Sequence, residues 1–290
     1  MRFGVVVAGP AMARAAWLDE VRRIDDLGFD LLLVPDHLGL PPPFPPLVAA
    51  AEASDRLRFG VQVLNNEFWN PVLLARDVIG VDLLTDGRLE VGLGAGHTKS
   101  EFDDVGIIYE RPGVRISRLE HDVAELRWVL DAGADGPVGF AAAQGHVPIM
   151  VGGNGDRVLD IAARRADIVG LNGITSGSGQ VHTGLSHFSW DGLADRIAHV
   201  RTCAPERFAN LTLSILVQAV VLTDDRDATA EAMAAKRDQD PSTYLDSPFM
   251  LLGTETSIRD DLARLTELGV DDVTTFRPNA DALAAAIDET

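Results

Sequence analysis

The chain has 290 residues, of which 46% are hydrophobic and 24% are charged. This composition is typical of a globular protein with a large core, and the length suits either two domains or one α/β barrel. Its 25 Lys and Arg residues against 44 Asp and Glu residues give a formal net charge of −19. So acidic a protein is disfavoured as a partner of nucleic acid or of an anionic membrane surface.

Targeting and membrane segments are not expected. The first residues, MRFGVVVAGPAMARAA, superficially resemble a signal peptide, but they pass after a short apolar run into an amphipathic pattern with Asp19 and Glu20. No apolar stretch approaches the length of about 18 residues that spans a membrane. Cys203 is the sole cysteine, so an internal disulfide is excluded and we expect no cysteine-based metal site. We expect a cytoplasmic protein.

Strand-like and helix-like segments alternate along the whole chain. An amphipathic helix follows the first strand and stops at Gly28, and later helical patterns separate the other strands. A polar insertion from Thr98 to Arg115 follows the fourth strand. The predicted strands cover residues 2–9, 31–38, 57–66, 88–96, 147–153, 166–173, 213–223 and 270–278.

Eight strands interleaved with helices predict an α/β fold, a single (β/α)₈ TIM barrel with insertions at its carboxyl-end loops. No linker divides the chain, so we expect one domain over residues 1–290. A doubly wound open sheet is the alternative architecture. In a barrel of this kind the reaction site lies at the carboxyl ends of the strands.

Polar residues and glycines gather at those predicted strand exits. Each could be ordinary turn chemistry, but their joint placement at one rim favours a site. The segments are Asp36-His37, Asn65-Asn66, Gly94 to His97, Gly152 to Asn154, Asn172-Gly173 and Arg277.

His37 is the leading candidate for catalysis. Imidazole transfers protons near neutral pH, and the neighbouring carboxylate of Asp36 is expected to fix its tautomer. His97 is the second candidate on the same rim. A metal would need three or four convergent ligands, and because no recognised spacing links these three residues we expect no metal.

The stretch VGGNGDRVLDIAARRA joins a strand to a helix through glycines. Such a turn lets backbone N–H groups and a helix N-terminus approach an anion, with Asn154 and Arg157 as side-chain contacts. A tight turn without ligand is equally compatible, because neither a Walker loop nor G-x-G-x-x-G is present.

These residues resemble the bacterial-luciferase-like flavin and deazaflavin oxidoreductases, particularly their actinobacterial branch that depends on coenzyme F420. The resemblance runs through nearly the whole chain. It includes LGFDLLLVPDHL, LRFGVQVLNNEFWNPVLLARDVIGVDLLTDGRLEVGLGAG, EFDDVGI, ERPGVRISRLEH, VPIMVGGNGDRVLDIAARRADIVGLN and LGTETSIRDDLARLTELGVDDV.

The resemblance implies a TIM barrel that transfers hydride at an isoalloxazine or deazaflavin ring in its mouth. Asp36-His37 matches the pair that faces the ring, and Gln62-Val63 falls where many members carry a non-proline cis peptide. Some members have a glutamate acid where this chain has His97. The expected cofactor-binding residues are Asp36, His37, Gln62, Val63, Asn65, Gly94, Gly96, His97, Gly152, Gly153, Asn154 and Asn172, and the expected catalytic residues are His37, Asp36 and His97.

Three functions stay open at this point. A coenzyme F420-dependent oxidoreductase is favoured over an FMN-dependent monooxygenase that uses reduced flavin and oxygen, and a non-catalytic flavin-binding barrel is the third. The F420 tail carries extra carboxylates, which the acidic chain could offset through Lys99, Arg111 and Arg115. We expect a small-molecule substrate. Most of its recognition should come from three loops at the barrel mouth: the insertion after the fourth strand, residues 174–190 and residues 239–253. The resemblance also implies a homodimer.

Overall fold

Eight parallel strands form a closed barrel. The computed structural model describes residues 1–8, 13–177, 180–185 and 187–287, with only the backbone of residues 175–177 and 180–184 described. Each barrel strand pairs with its neighbours in chain order, and the last pairs with the first, which confirms the predicted TIM barrel. The strands are β1 Arg2–Val6, β2 Leu31–Val34, β3 Arg58–Asn65, β4 Leu89–Gly94, β5 Ile149–Gly152, β6 Ile168–Leu171, β7 Thr212–Val217 and β8 Asp272–Phe276.

The helices surround the barrel and bury one apolar face each. In α1, Trp17, Val21 and Ile24 are buried, which is the spacing of one helix face. Among the described residues, none of the helices has the length and apolarity to cross a membrane. The helices are α1 Arg14–Asp26, α2 Phe44–Ala50, α3 Pro71–Leu84, α4 Lys99–Val105, α5 Pro112–Ala132, α6 Asp156–Arg165, α7 Trp190–Cys203, α8 Arg226–Ala235, α9 Ser242–Leu245, α10 Glu255–Glu267 and α11 Ala280–Ile287.

The seventh predicted strand is two strands in the structure. β7 ends at Val217, and Ala219–Leu222 leaves the barrel to pair in parallel with Met250–Gly253. Both halves are apolar although the second is only partly buried, with Val220 buried and Leu222 exposed, so the sequence pattern shows no break between them. The expectation that residues 239–253 form a loop is therefore wrong for its last four residues, and also for Ser242–Leu245, which form a short helix.

Two segments expected to shape the mouth are also partly regular. The polar insertion from Thr98 to Arg115 contains α4 and the first turn of α5. In the 174–190 segment, Thr175–Gly177 and Gln180–Gly184 form an antiparallel pair, and residues 178, 179 and 186 lie outside the described residues.

The amino end of the barrel is closed by an ion-pair network. The Arg2 guanidinium donates hydrogen bonds to both carboxylate oxygens of Asp272, at 2.8 and 2.6 Å, and one to Glu90 at 2.8 Å. Arg58 donates a further hydrogen bond to Glu90 at 2.8 Å. Burial raises the pKa of Asp272, and its hydrogen bonds from Arg2 counteract that rise.

An apolar cluster lies inside the barrel. Its buried members are Val6, Leu31 and Leu33, and the partly buried Leu216 and Phe276 pack against them. With the ion-pair network at the amino ends of the strands, this cluster fills the barrel interior and leaves the carboxyl ends as the place for chemistry.

Candidate active site at the barrel mouth

Asp36 connects the exits of β2 and β3. Its Oδ2 atom accepts one hydrogen bond from the backbone N–H of Asn65 at 3.1 Å and another from the indole N–H of Trp69 at 3.0 Å. Burial raises the pKa of this carboxyl group, and the two hydrogen bonds counteract the rise. Asp36 is therefore a structural acceptor as well as a member of the rim.

Asp36→Asn is expected to leave the protein as stable as the wild type at pH 7 or to stabilise it by roughly 0.5–1 kcal/mol. One amide oxygen can accept both hydrogen bonds, because both now go to a single oxygen. The folded-state pKa of Asp36 is raised, so its ionisation opposes folding above that pKa and has no effect below the unfolded value near 3.8. The difference should shrink as the pH falls toward that value.

Urea unfolding at pH 7 and near pH 4 measures this difference. Asp19→Asn, at a carboxylate whose side chain is 75% exposed, serves as the control and should show no such trend. An Asp36→Asn protein that is less stable than the wild type at pH 7 would contradict the interpretation.

His37 is oriented by Glu101. The Nδ1 atom of His37 lies 2.8 Å from Oε1 of Glu101, a residue of α4. Because an ionised carboxylate only accepts hydrogen bonds, Nδ1 carries the hydrogen and Nε2 is left to act. The side chain of His37 is 40% exposed and that of Glu101 only 12%, so the imidazole faces the opening and the carboxylate lies behind it.

The partner of His37 differs from the one expected from the sequence. Asp36 was expected to fix the tautomer, but the structure gives this contact to Glu101. His97 does lie beside His37, with their ring centroids 5.6 Å apart in an edge-to-face arrangement. The mouth thus brings together both predicted histidines and one carboxylate that the sequence analysis did not single out.

The loop after β4 is held close to the end of β3. Gly96 has a φ of +70°, and a Cβ atom there would lie 2.3 Å from Oδ1 of Asn65 and 2.8 Å from the Phe102 ring. Only glycine fits such a position. The side chain of Asn65 is also used locally, because its Oδ1 accepts the N–H of Glu67 at 3.3 Å.

Arg115 holds the same loop from the other side. It is buried and donates hydrogen bonds to the carbonyl oxygens of Ala95 at 3.1 Å and Gly96 at 3.2 Å. Lys99 bonds to both carboxylate oxygens of Asp103. Of the three cations predicted to offset the charge of an F420 tail, Arg115 is thus bonded to the loop, Lys99 is in an exposed ion pair, and Arg111 is the N-cap of α5.

The peptide bond between Gln62 and Val63 is cis, as the resemblance implied. The Val63 side chain then packs on glycines of the next strands, since a Cβ atom would lie 2.8 Å from it at Gly94 and 3.0 Å from it at Gly152. The Oε1 atom of Gln62 is buried, and within the described part of the chain it has no hydrogen-bond partner. A buried acceptor of this kind favours a ligand that brings an N–H group.

The turn after β5 is partly explained by packing. A Cβ atom at Gly153 would lie 2.7 Å from Val158, and the Gly153 N–H already donates to the carbonyl of Gly170 at 3.0 Å. Asn154 is buried, with its Nδ2 atom 3.2 Å from Nδ1 of His187. The group left to bind an anion in this turn is the N-terminus of α6. Gly155 is its N-cap, and among the described residues no side chain caps the helix.

Three other predicted positions already have hydrogen-bond or ion-pair partners within the protein. Oδ1 of Asn172 accepts the N–H of Ile174 at 3.1 Å. Arg157 donates to residues of α5. Arg277 forms an ion pair at 2.8 Å with Glu20 of α1 and does not contribute to the mouth.

Comparison with known proteins agrees with the fold. The model of the luciferase-like monooxygenase family matches residues 1–247. This chain belongs to the luciferase-like monooxygenase family. Most of the matched range is the barrel itself, and all the expected cofactor-binding residues of the mouth lie within it.

Relatives of this luciferase-like protein carry several activities. A 5,10-methylenetetrahydromethanopterin reductase of Archaeoglobus fulgidus is 28% identical over 181 residues, which are 59% of this chain and 53% of the reductase. The matched part of the chain thus spans about half the length of that relative. An F420-dependent secondary alcohol dehydrogenase superimposes with a TM-score of 0.76 at 15% identity over 99% of each chain, and a monooxygenase of Streptomyces bottropensis with 0.72 at 18% over 99% of this chain and 98% of the other. At these identities the two structures show a shared fold.

Sequence reasoning missed Glu101 and Trp69. Glu101 lies in an acidic stretch with Asp103 and Asp104, and nothing local marks it as the one that turns inward. Its only signal is the adjacent Phe102, which is fully buried and brings that face of α4 against the barrel.

Proposed function

We propose that this protein is an oxidoreductase that transfers a hydride between coenzyme F420 and a small organic substrate at the barrel mouth. The observation that carries the proposal is His37, partly exposed and held by Glu101 through Nδ1. Hydride movement at a carbon atom needs a matching proton at a neighbouring heteroatom, and the free Nε2 atom of His37 is placed to exchange it.

The residues at the mouth fit a deazaflavin ring and its phosphate. The bound cofactor supplies or accepts the hydride. The Oε1 atom of Gln62, which has no hydrogen-bond partner among the described residues, would accept an N–H of the ring. The N-terminus of α6 would hold the phosphate. The glycines of β4 and β5 and the Val63 side chain would form the wall behind the ring.

The role of Glu101 follows from its position. It contacts His37 from the buried side, so it stabilises the imidazolium that forms when His37 takes up a proton, and it prevents rotation of the ring. His97 lies at the edge of the same imidazole and is the second group that could hold the transferred proton.

The activities of the compared proteins support this choice and keep one alternative. Two of them are a methylenetetrahydromethanopterin reductase and an F420-dependent alcohol dehydrogenase, which favour hydride exchange with a small molecule. A monooxygenase is also among them. The existing partners of Lys99 and Arg115 favour a less anionic cofactor, so an FMN-dependent monooxygenase is the second candidate.

A direct comparison of the two cofactors tests the proposal. We expect oxidised F420 to bind with a dissociation constant of about 1 μM or below, and FMN to bind at least about tenfold more weakly. Trp69 lies in the mouth beside Asp36, so quenching of its fluorescence reports binding, and Trp69→Phe separates this signal from that of the other tryptophans.

Gln62→Leu tests the proposed hydrogen bond to the ring, because it removes the buried acceptor and nearly preserves the volume of the side chain. It should weaken binding of the preferred cofactor by about tenfold, the usual cost of one lost hydrogen bond. Binding of FMN at least tenfold more tightly than F420 would favour the monooxygenase.

We further propose that the protein is a homodimer, as the resemblance implies, and that it is cytoplasmic. Leu84 of α3 and Trp128 of α5 are 63% and 59% exposed on helices that pack against each other. Exposed large apolar residues on one face are typical of a protein interface. Light scattering of the purified protein measures the mass in solution.

A further inference from the structure

Three side chains that can bind metal meet outside the barrel, between α6 and α7. His199 and Cys203 lie one helical turn apart on α7, and Asp160 faces them from α6. Oδ1 of Asp160 is 2.8 Å from Sγ of Cys203 and 3.0 Å from Nε2 of His199, and the sulfur and that nitrogen are 3.4 Å apart. None of these three atoms belongs to the site in the barrel mouth.

The spacing of the three atoms is close to that around a metal ion. A tetrahedral zinc ion with ordinary bond lengths holds sulfur, nitrogen and oxygen ligands about 3.3–3.6 Å apart. The nitrogen and sulfur already have this separation, whereas the carboxylate oxygen has to move away from the sulfur by about 0.5–0.8 Å. The three side chains are partly exposed, so such small rotations are available, and a water molecule could complete the tetrahedron.

We propose that Asp160, His199 and Cys203 bind a divalent transition-metal ion of the zinc class. Imidazole, thiolate and carboxylate are all zinc ligands, and their i, i+4 spacing on α7 places two of them on one face. Binding releases the thiol proton of Cys203 to solvent, and the thiolate sulfur then forms a bond to the metal. The absence of a second cysteine led us to expect no such site, but a mixed donor set needs only one.

The same geometry disfavours a nucleophilic cysteine. In a Cys-His-carboxylate triad the acid contacts the imidazole nitrogen that faces away from the sulfur. Here Nε2 of His199 faces both the sulfur and the carboxylate, so no proton relay can run through the ring.

A metal at this place would join the two helices that flank one side of the mouth. α6 begins just after the β5 turn, and α7 begins just after His187, which contacts Asn154 of that turn. We therefore expect the ion to stabilise the fold and not to take part in the chemistry. The second oxygen of Asp160 lies 3.7 Å from Arg164, which holds the carboxylate in place.

Titration of the full-length, metal-free protein with Co²⁺ tests the proposal, because Cys203 is the sole cysteine in the sequence. We expect a thiolate-to-cobalt charge-transfer band that saturates at one ion per chain. Cys203→Ser should abolish the band. His199→Ala and Asp160→Asn should weaken Co²⁺ binding at least about tenfold, the loss found on removal of even an outer partner of a metal site. Circular dichroism confirms that each variant is folded.

A matched control comes from α5. His121 lies next to carboxylates of Asp122 and Glu125, and His121→Ala should leave the band and its midpoint unchanged. As a second readout, one equivalent of Zn²⁺ should raise the melting temperature of the wild type and not of Cys203→Ser. Absence of the band, or a band that persists at full affinity in His199→Ala and Asp160→Asn, would overturn the proposal.

Discussion

His37→Ala is expected to lower kcat by about 10²–10⁴-fold, the usual contribution of a positioned acid or base. The imidazole is 40% exposed, and its Nδ1 is bonded to Glu101, which leaves Nε2 as the atom for proton transfer. Removing it opens the mouth beside the Glu101 carboxylate, so water can take the place of the imidazole as its hydrogen-bond partner. The rate of the absorbance change of F420 in a single turnover with a surrogate alcohol or imine substrate measures the loss.

Binding and folding should be little affected by the same substitution. The side chain of His37 is 40% exposed, so its truncation leaves no internal cavity, and cofactor affinity should stay within about tenfold of the wild type. His121→Ala is the control for histidine removal, since that side chain is 73% exposed and lies on α5. Turnover at the wild-type rate in His37→Ala would exclude the role, and His97→Ala would be measured next.

Arg2→Met is expected to destabilise the protein by about 3 kcal/mol, the lower end of the cost of breaking a buried ion pair. The side chains of Asp272 and Glu90 are only 1% and 7% exposed, whereas that of Arg2 is 35% exposed, which places the cost at that lower end. Asp272 loses a bidentate partner, whereas Glu90 keeps Arg58. Urea unfolding followed by circular dichroism measures the difference.

The pH dependence of this loss has a fixed sign. Burial already raises the pKa of Asp272, and removal of Arg2 raises it further, so the carboxylate opposes folding only while it is ionised. The loss should be largest at pH 7 and should shrink as the pH falls toward the unfolded value near 3.8. Arg22→Met breaks an exposed pair with Asp19 and should cost less than about 0.5 kcal/mol. An equal cost for the two variants would contradict the account.

The barrel could be predicted from the sequence because its strands are buried on both faces. Runs such as Leu31–Val34 are continuous in Leu and Val, and the turns between elements carry glycine or asparagine. The break at Gln218 could not be predicted. The residues on both sides of it are apolar, and only the tertiary structure separates a barrel strand from a strand that pairs with Met250–Gly253.

The structure brings the two predicted histidines together and gives His37 a partner that the sequence did not indicate. The strand order brings His37 and His97 together, since they follow β2 and β4, the two strands that flank β3. The contact between His37 and Glu101 spans 64 residues, and no local pattern distinguishes Glu101 from the acidic residues beside it. Likewise the donors to Asp36 come from the end of β3 and from Trp69. Such pairings depend on loop geometry, which hydrophobic periodicity does not encode.

The closed amino end of the barrel has a kinetic consequence. The ion pairs of Arg2 and the apolar cluster around Leu31 lie below the mouth. As far as the described residues show, molecules that react there therefore enter and leave on the same side, at the carboxyl ends of the strands. Of the cofactor and the substrate, the molecule that binds first lies deeper, so it can leave only after the second has dissociated. Binding of the two molecules is therefore expected to follow a compulsory order, in which the second to bind is the first to dissociate. Product inhibition patterns would reveal which molecule binds first.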